Sequence, residues 1–304
     1  MRIVVALGGN AIARRGDPLD PEHQVARVRV AAQALADLAG EHSIVVTHGN
    51  GPQVGMLAAA VEGLPLDVAG AESEGMIGYW IDQELVNLLP DRDVAALLTQ
   101  VEVKPDDPAF AEPTKPIGRV YAEAAAQRMI EERGWRMVST GDGMRRVVAS
   151  PEPVRIIEER TIALLVRLGV IVVCSGGGGI PVARGDHGFL HGVEAVIDKD
   201  LSAARLAADL DADLLLLLTD VPGVYAEWPE RKRLIRRIPP RQLRDFSFEP
   251  GTMAPKIEAA HRFARRPGAV AAIGELEEAS EIVRGKAGTS IGAQWSSLEV
   301  EEVS

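Results

Sequence analysis

Apolar positions along this chain follow two periods. RIVVALGGN (2–10), SIVVTHGNGPQVG (43–55), VIVVCSGGGG (170–179) and DLLLLLTD (213–220) each open on a continuous β-branched or leucine run, and three of the four then turn on glycine. DVAALLTQV (93–101) and GAVAAIGE (268–275) have the same strand-like character. Between these runs apolar residues recur every three to four positions over 21–40, 159–169, 200–212, 254–266 and 276–285, which is the period of a helix with one buried face. Gly40 stands where the first helix should stop. Strands that are apolar throughout need cover on both faces. Their alternation with helices therefore predicts an α/β fold with a mainly parallel central sheet between two helical layers.

One stretch breaks the rhythm. Residues 104–155 carry Pro105, Pro108, Pro113, Pro116, Pro151 and Pro153, with one convincing helix near 122–133. This reads as an excursion from the sheet, a small protruding lid. The tail has several acidic residues and no packing pattern. It is expected to fray over 292–304, so that its removal after Ile291 should alter neither activity nor melting temperature. No internal repeat is evident.

Composition narrows the partners. The chain has 304 residues, 46% of them hydrophobic, and a net charge of −11. That balance argues against non-specific binding to nucleic acid or to an anionic membrane, so an anionic substrate needs a local cluster of cations. Cys174 is the single cysteine, which excludes internal disulfides and multi-cysteine metal sites and suits a reducing cytoplasm. Neither a signal peptide nor a membrane-length apolar run is recognised.

Three strands end in glycine turns, LGGN (7–10), HGNG (48–51) and SGGGG (175–179). In a parallel sheet such turns share one edge, where backbone N–H groups and following helix starts converge on an anion. Four consecutive glycines between a strand and Ile-Pro-Val read as one wall of a pocket for a small anion. No G-x-x-x-x-G-K-[ST] occurs, and GNGPQVG has Val54 where a dinucleotide turn needs its third glycine. The histidines show no ligand spacing, so no protein-built metal site is expected. His48 reads as structural, since an already ionised nucleophile needs no base.

The lysines are informative because nearly all cations here are arginine. Lysine stands only at 104, 115, 199, 232, 256 and 286. Lys199 and Lys256 fall at predicted helix starts, where a cation opposes the helix dipole unless an anion binds there. A flexible ammonium suits a moving phosphoryl group. Thr252 is a candidate cap for the second of these helices, and LTDVPGVY (218–225) is a further strand-end turn that could hold a nucleotide.

VVALGGNA, HGNGPQVG, GYW, LTQV, PTKPIG, RRVVASPEP, GGGGIPV, GVEAVIDKD and GTMAPKIEAA occur in this order and resemble the motifs of carbamate kinases in the amino acid kinase superfamily, from Met1 to about Ile291. The resemblance implies a three-layer αβα sandwich as a homodimer in arginine metabolism, with an N-terminal substrate lobe (1–195) and a C-terminal nucleotide lobe (196–291). It implies reversible transfer of a phosphoryl group between ATP and carbamate, giving ADP and carbamoyl phosphate, with Mg²⁺ arriving on the nucleotide. By motif position Gly8, Gly9, Asn10, Gly49, Asn50, Gly176, Gly177, Gly178 and Gly179 would surround the substrate. Lys199 and Lys256 would stabilise the phosphoryl group, Asp200 would orient them, and Lys115 would reach in from the lid. Asp220, Val224, Tyr225, Met253 and Lys256 would hold the nucleotide. Two alternatives stand beside this: a relative that phosphorylates a different small carboxylate or a phosphonate, and a non-catalytic sensor on the same scaffold. PTKPIG counts against the first, and the retained Lys199, Asp200 and Lys256 against the second.

Overall fold

The computed structural model describes residues 1–12, 18, 20–227, 231–246 and 253–302, with the side chains of 10, 231 and 232 left out of the description. The first half runs β1 (Arg2–Leu7), α1 (Pro21–Glu41), β2 (Ser43–His48), α2 (Gly51–Ala60), α3 (Leu66–Leu88), β3 (Val94–Ala96), β4 (Gln100–Glu102), β5 (Lys115–Tyr121), α4 (Glu123–Arg133), β6 (Met137–Thr140), β7 (Gly143–Val148), β8 (Arg155–Ile156) and α5 (Glu159–Arg167). The second half runs β9 (Ile171–Val173), β10 (Ile180–Arg184), β11 (Leu190–Gly192), α6 (Lys199–Asp209), β12 (Leu214–Thr219), β13 (Val224–Glu227), β14 (Arg231–Ile238), α7 (Met253–Ala264), β15 (Val270–Glu275), α8 (Ala279–Val283), β16 (Thr289–Gly292) and β17 (Glu299–Glu302).

The main sheet has the order β13-β14-β16-β15-β12-β1-β2-β9-β3, with β17 added against β14. From β15 to β3 every neighbouring pair is parallel, with Ile3 in register with Ile44 on one side and Leu214 on the other. Successive side chains of a strand point to opposite faces. Val4, Val45, Val172, Leu215 and Ile273 therefore join Leu206 of α6 and Phe263 of α7 in one core. Ile3, Val5, Ile44, Leu216 and Ala272 join Leu35 of α1, Ile81 of α3 and Ile282 of α8 in the other. These are the three layers expected. No helix among the described residues is long and apolar enough to cross a membrane.

Two smaller sheets stand off the main one. One is β11-β10-β4-β8; the other is β5-β7-β6, antiparallel throughout and joined by α4. The latter docks by Ile117 and Val148 on Val54 and Ala58 of α2. Its approach is close: a Cβ on Gly55 would lie 2.1 Å from the Gly118 Cα.

Four local expectations change. Gly40 lies inside α1, which runs on to Glu41. DVAALLTQV is two strands in two sheets, because the chain leaves β3 at Leu97 and enters β4 at Gln100. The final helix opens as a 3-10 turn over Leu276–Glu278. The tail does not fray as a whole: β17 pairs antiparallel with β14, Val300 opposite Ile235, so backbone pairing holds a segment that has little apolar content of its own.

Candidate active site

Adjacent strands β12, β1, β2 and β9 end at one sheet edge, so their turns meet there. The Gly8 N–H donates to the Leu218 carbonyl at 2.9 Å, and the Gly49 N–H to that of Leu7 at 3.1 Å. α6 and α7 start at the same edge. Asp198 caps α6, its carboxylate accepting from the N–H groups of Asp200 (2.9 Å) and Leu201 (3.3 Å). Between these turns and helix starts lies a cavity of about 360 Å³. Gly8, Gly9, Gly49, Asn50, Gly177, Lys115, Lys199, Asp200, Asp220, Met253 and Lys256 all line it, brought together from seven separate stretches of chain.

The charges are concentrated at its floor. Asp200 is buried between two lysines: Lys199 donates to Oδ1, and Lys256 to Oδ2 at 3.1 Å. Burial alone would raise the Asp200 carboxyl, but Lys199 and Lys256 outweigh it and hold the group well below the usual carboxylate range. Burial pushes Lys199 down to about 8 against the pull of Asp200. Burial also disfavours the Lys256 charge, yet Asp200 prevails and raises it. One carboxylate thus fixes two ammonium groups at the start of two helices, a local excess of positive charge on an acidic chain. Lys115 enters from β5 and donates to Asp198 Oδ2.

The glycines of the four-residue run serve different ends. Only Gly177 lines the cavity. Gly177, Gly178 and Gly179 have φ of 66°, 97° and 90°, a backbone region that side-chain-bearing residues rarely adopt. Each position is also closed by a neighbour. A Cβ on Gly176 would lie 2.4 Å from the His48 ring, on Gly177 2.1 Å from Asn50 Oδ1, on Gly178 2.5 Å from the Ile197 carbonyl, and on Gly179 2.4 Å from Val101 Cγ2. The expectation that all four form the pocket wall is therefore corrected. Gly176, Gly178 and Gly179 pack against protein and let the backbone turn tightly enough for Gly177 to reach the cavity. Gly9 meets nothing within 4 Å and leaves open space on the cavity side.

Val224 and Tyr225 do not line the cavity. Val224 is wholly buried in the core, its N–H donating to Thr289 Oγ1 at 2.8 Å, and Tyr225 follows it on β13. Asn10 lies in a 3-10 turn over Gly9–Ala11; Thr252 falls outside the described residues. His48 is fully buried behind Gly176, its Nδ1 on the Gly49 carbonyl at 3.1 Å, and burial pushes it down to about 4. Cys174 is buried too, and burial pushes its thiol up.

Several lining residues escaped the sequence reading. Arg145 on β7 reaches the cavity with a guanidinium N–H on the Gly118 carbonyl at 2.6 Å. Its signal, the Arg pair before VV, is diluted in an arginine-rich chain. Asp198, which precedes Lys199 in GVEAVIDKD, caps α6 and meets Lys115. Ser73 and Glu74, buried on α3 behind Asn50 and Gly176 and outside the cavity lining, gave no signal, since no turn or motif marks them.

The fold and the site define a class on comparison with known proteins. The sequence model of the amino acid kinase family matches residues 1–274. A carbamate kinase of Rhizobium meliloti (strain 1021) is 50% identical over 98% of this chain and 95% of its own length. One from Haemophilus influenzae is 49% identical over 96% of each. Among solved structures, a carbamate kinase from Giardia lamblia bound to AMP-PNP superposes with a TM-score of 0.85 at 37% identity, over 95% of this chain and 98% of that one. The chain belongs to the amino acid kinase family and, within it, to the carbamate kinases.

Proposed function

We propose that this chain catalyses reversible phosphoryl transfer between ATP and carbamate, giving ADP and carbamoyl phosphate. The observation that carries the reading is the pair Lys199 and Lys256 held on one buried carboxylate, at the floor of a cavity ringed by strand-end glycines. In the synthetic direction a carbamate oxygen attacks the γ-phosphorus as the bond to the bridging oxygen of ADP breaks. The attacking oxygen is already anionic, so no base is required. His48, neutral and behind the glycine turn, is not positioned to be one.

The barrier is then one of charge and alignment. Lys199 and Lys256 hold the phosphoryl oxygens, and Asp200 keeps both ammonium groups in place. Gly8, Gly9, Gly49 and Gly177 bring backbone close to the acceptor, and Asn50 offers a side-chain amide. Lys115 adds a charge from the β5-β7-β6 subdomain, which serves as a lid. Asp220, Met253 and Lys256 face the nucleotide.

Mg²⁺ completes the reading. Among the described residues no group of three or more His, Cys, Asp or Glu side chains is placed to hold a metal. Both Asp200 oxygens are taken by lysines, and Asp198 is engaged by the α6 amides and Lys115. The ion would therefore ride on the nucleotide phosphates and neutralise their charge. A homodimer is part of the reading: Tyr79 and Val86 on one face of α3 and the nearby Leu98 are 55%, 45% and 55% exposed, an apolar surface suited to a second copy. Cytoplasmic location and a place in arginine metabolism belong to the same reading; the single buried cysteine, Cys174, is compatible with a reducing compartment.

The test is ATP formation from ADP and carbamoyl phosphate with Mg²⁺, beside ATP consumption with acetylglutamate, glutamate and fosfomycin. Turnover with carbamoyl phosphate alone supports the reading. Turnover with one of the others instead overturns it.

A further inference from the structure

Two buried polar residues of α3 have no part in the reaction as written. Ser73 and Glu74 face inward from mid-helix, among the apolar Leu66, Ala69, Ile77, Ile81 and Leu85. A carboxyl in such a place is unfavourable unless its oxygens are well bonded. We propose that Ser73 and Glu74 are positioning residues that set the two walls of the acceptor pocket, Ser73 through Asn50 and Glu74 through Gly176; this rests on the function given above.

Glu74 Oε1 accepts from the Gly176 N–H at 2.8 Å, and Oε2 from the Thr99 N–H at 3.3 Å. Thr99 Oγ1 in turn accepts from the Ser175 N–H at 3.0 Å. One carboxyl thus ties the break between β3 and β4 to the turn after β9. The amides it fixes, directly and through Thr99, immediately precede Gly177, the residue of the run that reaches the cavity. On the opposite wall Ser73 Oγ accepts from Asn50 Nδ2 at 2.8 Å while donating to the Ala69 carbonyl at 2.8 Å. The Asn50 amide abuts Gly177, 2.1 Å from where a Cβ would stand. The walls therefore lock against each other, and both are anchored on adjacent residues of one helix. A displacement of α3 by a fraction of an ångström would reach the acceptor pocket and not the nucleotide side.

The carboxyl also makes this wall sensitive to alkali. The titratable groups around Glu74 are His48 on β2, Cys174 after β9, Glu158 before α5, and Tyr79 and Asp82 further along α3. None is cationic at neutral pH: His48 is pushed down to about 4 and the Cys174 thiol is pushed up. Burial accordingly pushes Glu74 up to about 8. At pH 7 it is a neutral acid; glutamine matches its shape and charge but keeps one acceptor oxygen, so it can hold only one of the Gly176 and Thr99 N–H groups. Above pH 8 it becomes an anion directly behind a pocket that must accept one.

The experiment compares wild type with Glu74→Ala, Glu74→Gln and Ser73→Ala, measuring both KM values from pH 7 to 9 and the hydrogen exchange of residues 175–179. Expected is a rise of about tenfold or more in KM for carbamoyl phosphate in Glu74→Ala, with KM for ADP within twofold, and recovery of part of that loss in Glu74→Gln, whose single oxygen can take the Gly176 N–H. Exchange over 175–179 should quicken in Glu74→Ala. From pH 7 to 9 the KM for carbamoyl phosphate should rise more steeply in wild type than in Glu74→Gln; Lys199 titrates in both and cancels from the comparison. Equal change of the two KM values in Glu74→Ala, or identical pH profiles for wild type and Glu74→Gln, overturns the proposal. Should Glu74→Ala fail to fold, Ser73→Ala and the pH comparison decide. Should wild type not use carbamoyl phosphate, the functional reading falls, while unchanged exchange in Glu74→Ala would separately sink the positioning role.

Discussion

The parallel strands and the β5-β7-β6 subdomain enclose the same cavity with opposite kinds of construction. Ile3, Val4, Val5, Ala6 and Leu7 of β1 have no exposed surface, and the strands beside β1 are nearly as dry. The subdomain buries little: Ile117, Tyr121, Ala126, Val147 and Val148 are its inward residues. Its remaining cohesion comes from Trp135, with the Arg146 guanidinium 4.3 Å and that of Arg133 5.5 Å from the ring centroid, and Tyr121 edge-on at 6.3 Å. Cation–π contacts at such partly exposed sites are worth about 0.5–1 kcal/mol each, against about 1.5–3 kcal/mol for burying one large aliphatic side chain. The sheet edge is consequently rigid and the subdomain is the part with low local stability. Lys199 and Lys256 stand on α6 and α7 where these helices start at the sheet edge, whereas Lys115 reaches Asp198 from the subdomain; on the proposed function the first two charges are fixed and the third moves with the subdomain.

That contrast yields distinct kinetic signatures. The largest effect is expected at the floor. Lys256→Ala and Lys199→Ala should each lower kcat by about 10² or more, since one positioned group on a transferring phosphoryl is worth roughly 3–4 kcal/mol. Near-normal kcat in either folded variant would remove that lysine from catalysis. Lys199 adds a pH test. Its protonated form is the active one, so kcat should fall as pH rises through about 8. Stability responds the other way: the folded protein binds fewer protons than the unfolded chain between about 8 and 10.5, so this group's contribution rises with pH across that window. A kcat flat to pH 10 would contradict the assignment.

Next comes the subdomain. Lys115→Ala should raise KM for carbamoyl phosphate about tenfold while KM for ADP moves little, the pattern of lost binding on one substrate side. A change confined to ADP would place Lys115 elsewhere. Gly55→Ala should give a several-fold version of the same shift, because its Cβ would press on the Gly118 backbone and lift the subdomain from α2. Unchanged KM values there would mean that docking and substrate binding are separable. The smallest effect is expected far from the cavity: truncation after Gly292 should lower the melting temperature by a few degrees through loss of β17, with kinetics intact. No loss of melting temperature would return the tail to the frayed state expected from its composition.

Much of the sheet edge was legible because its signals are local. A β-branched run, a glycine turn and a lysine at a helix start each lie within ten residues. α3 was not legible, although it spans 23 residues. Gly70, Gly75 and Gly78 lower its helix propensity, and Ser73 and Glu74 interrupt its apolar stripe at the point where it supports the site. The two minor sheets were hidden for another reason. Their strands are short, and β4 pairs with β10 some eighty residues away (Ile180 opposite Gln100), a choice of partner that periodicity does not encode. Val224 of the turn motif lies in the core, and its neighbour Tyr225 on β13 is half-buried outside the lining of the cavity.

The glycine run also bears on what this scaffold can become. Each of its four positions is closed by a different neighbour: the His48 ring, the Asn50 amide, the Ile197 carbonyl and the Val101 side chain. A mutation that adds a side chain at any one of them needs a matching change in another element, and the four matching changes are not shared. Stepwise variation is therefore blocked on this wall. A lineage or a designer seeking a larger acceptor would find room at Lys115 and Arg145, where the subdomain can give way without disturbing the sheet, so new substrate preferences should accumulate there while the glycine wall stays as it is.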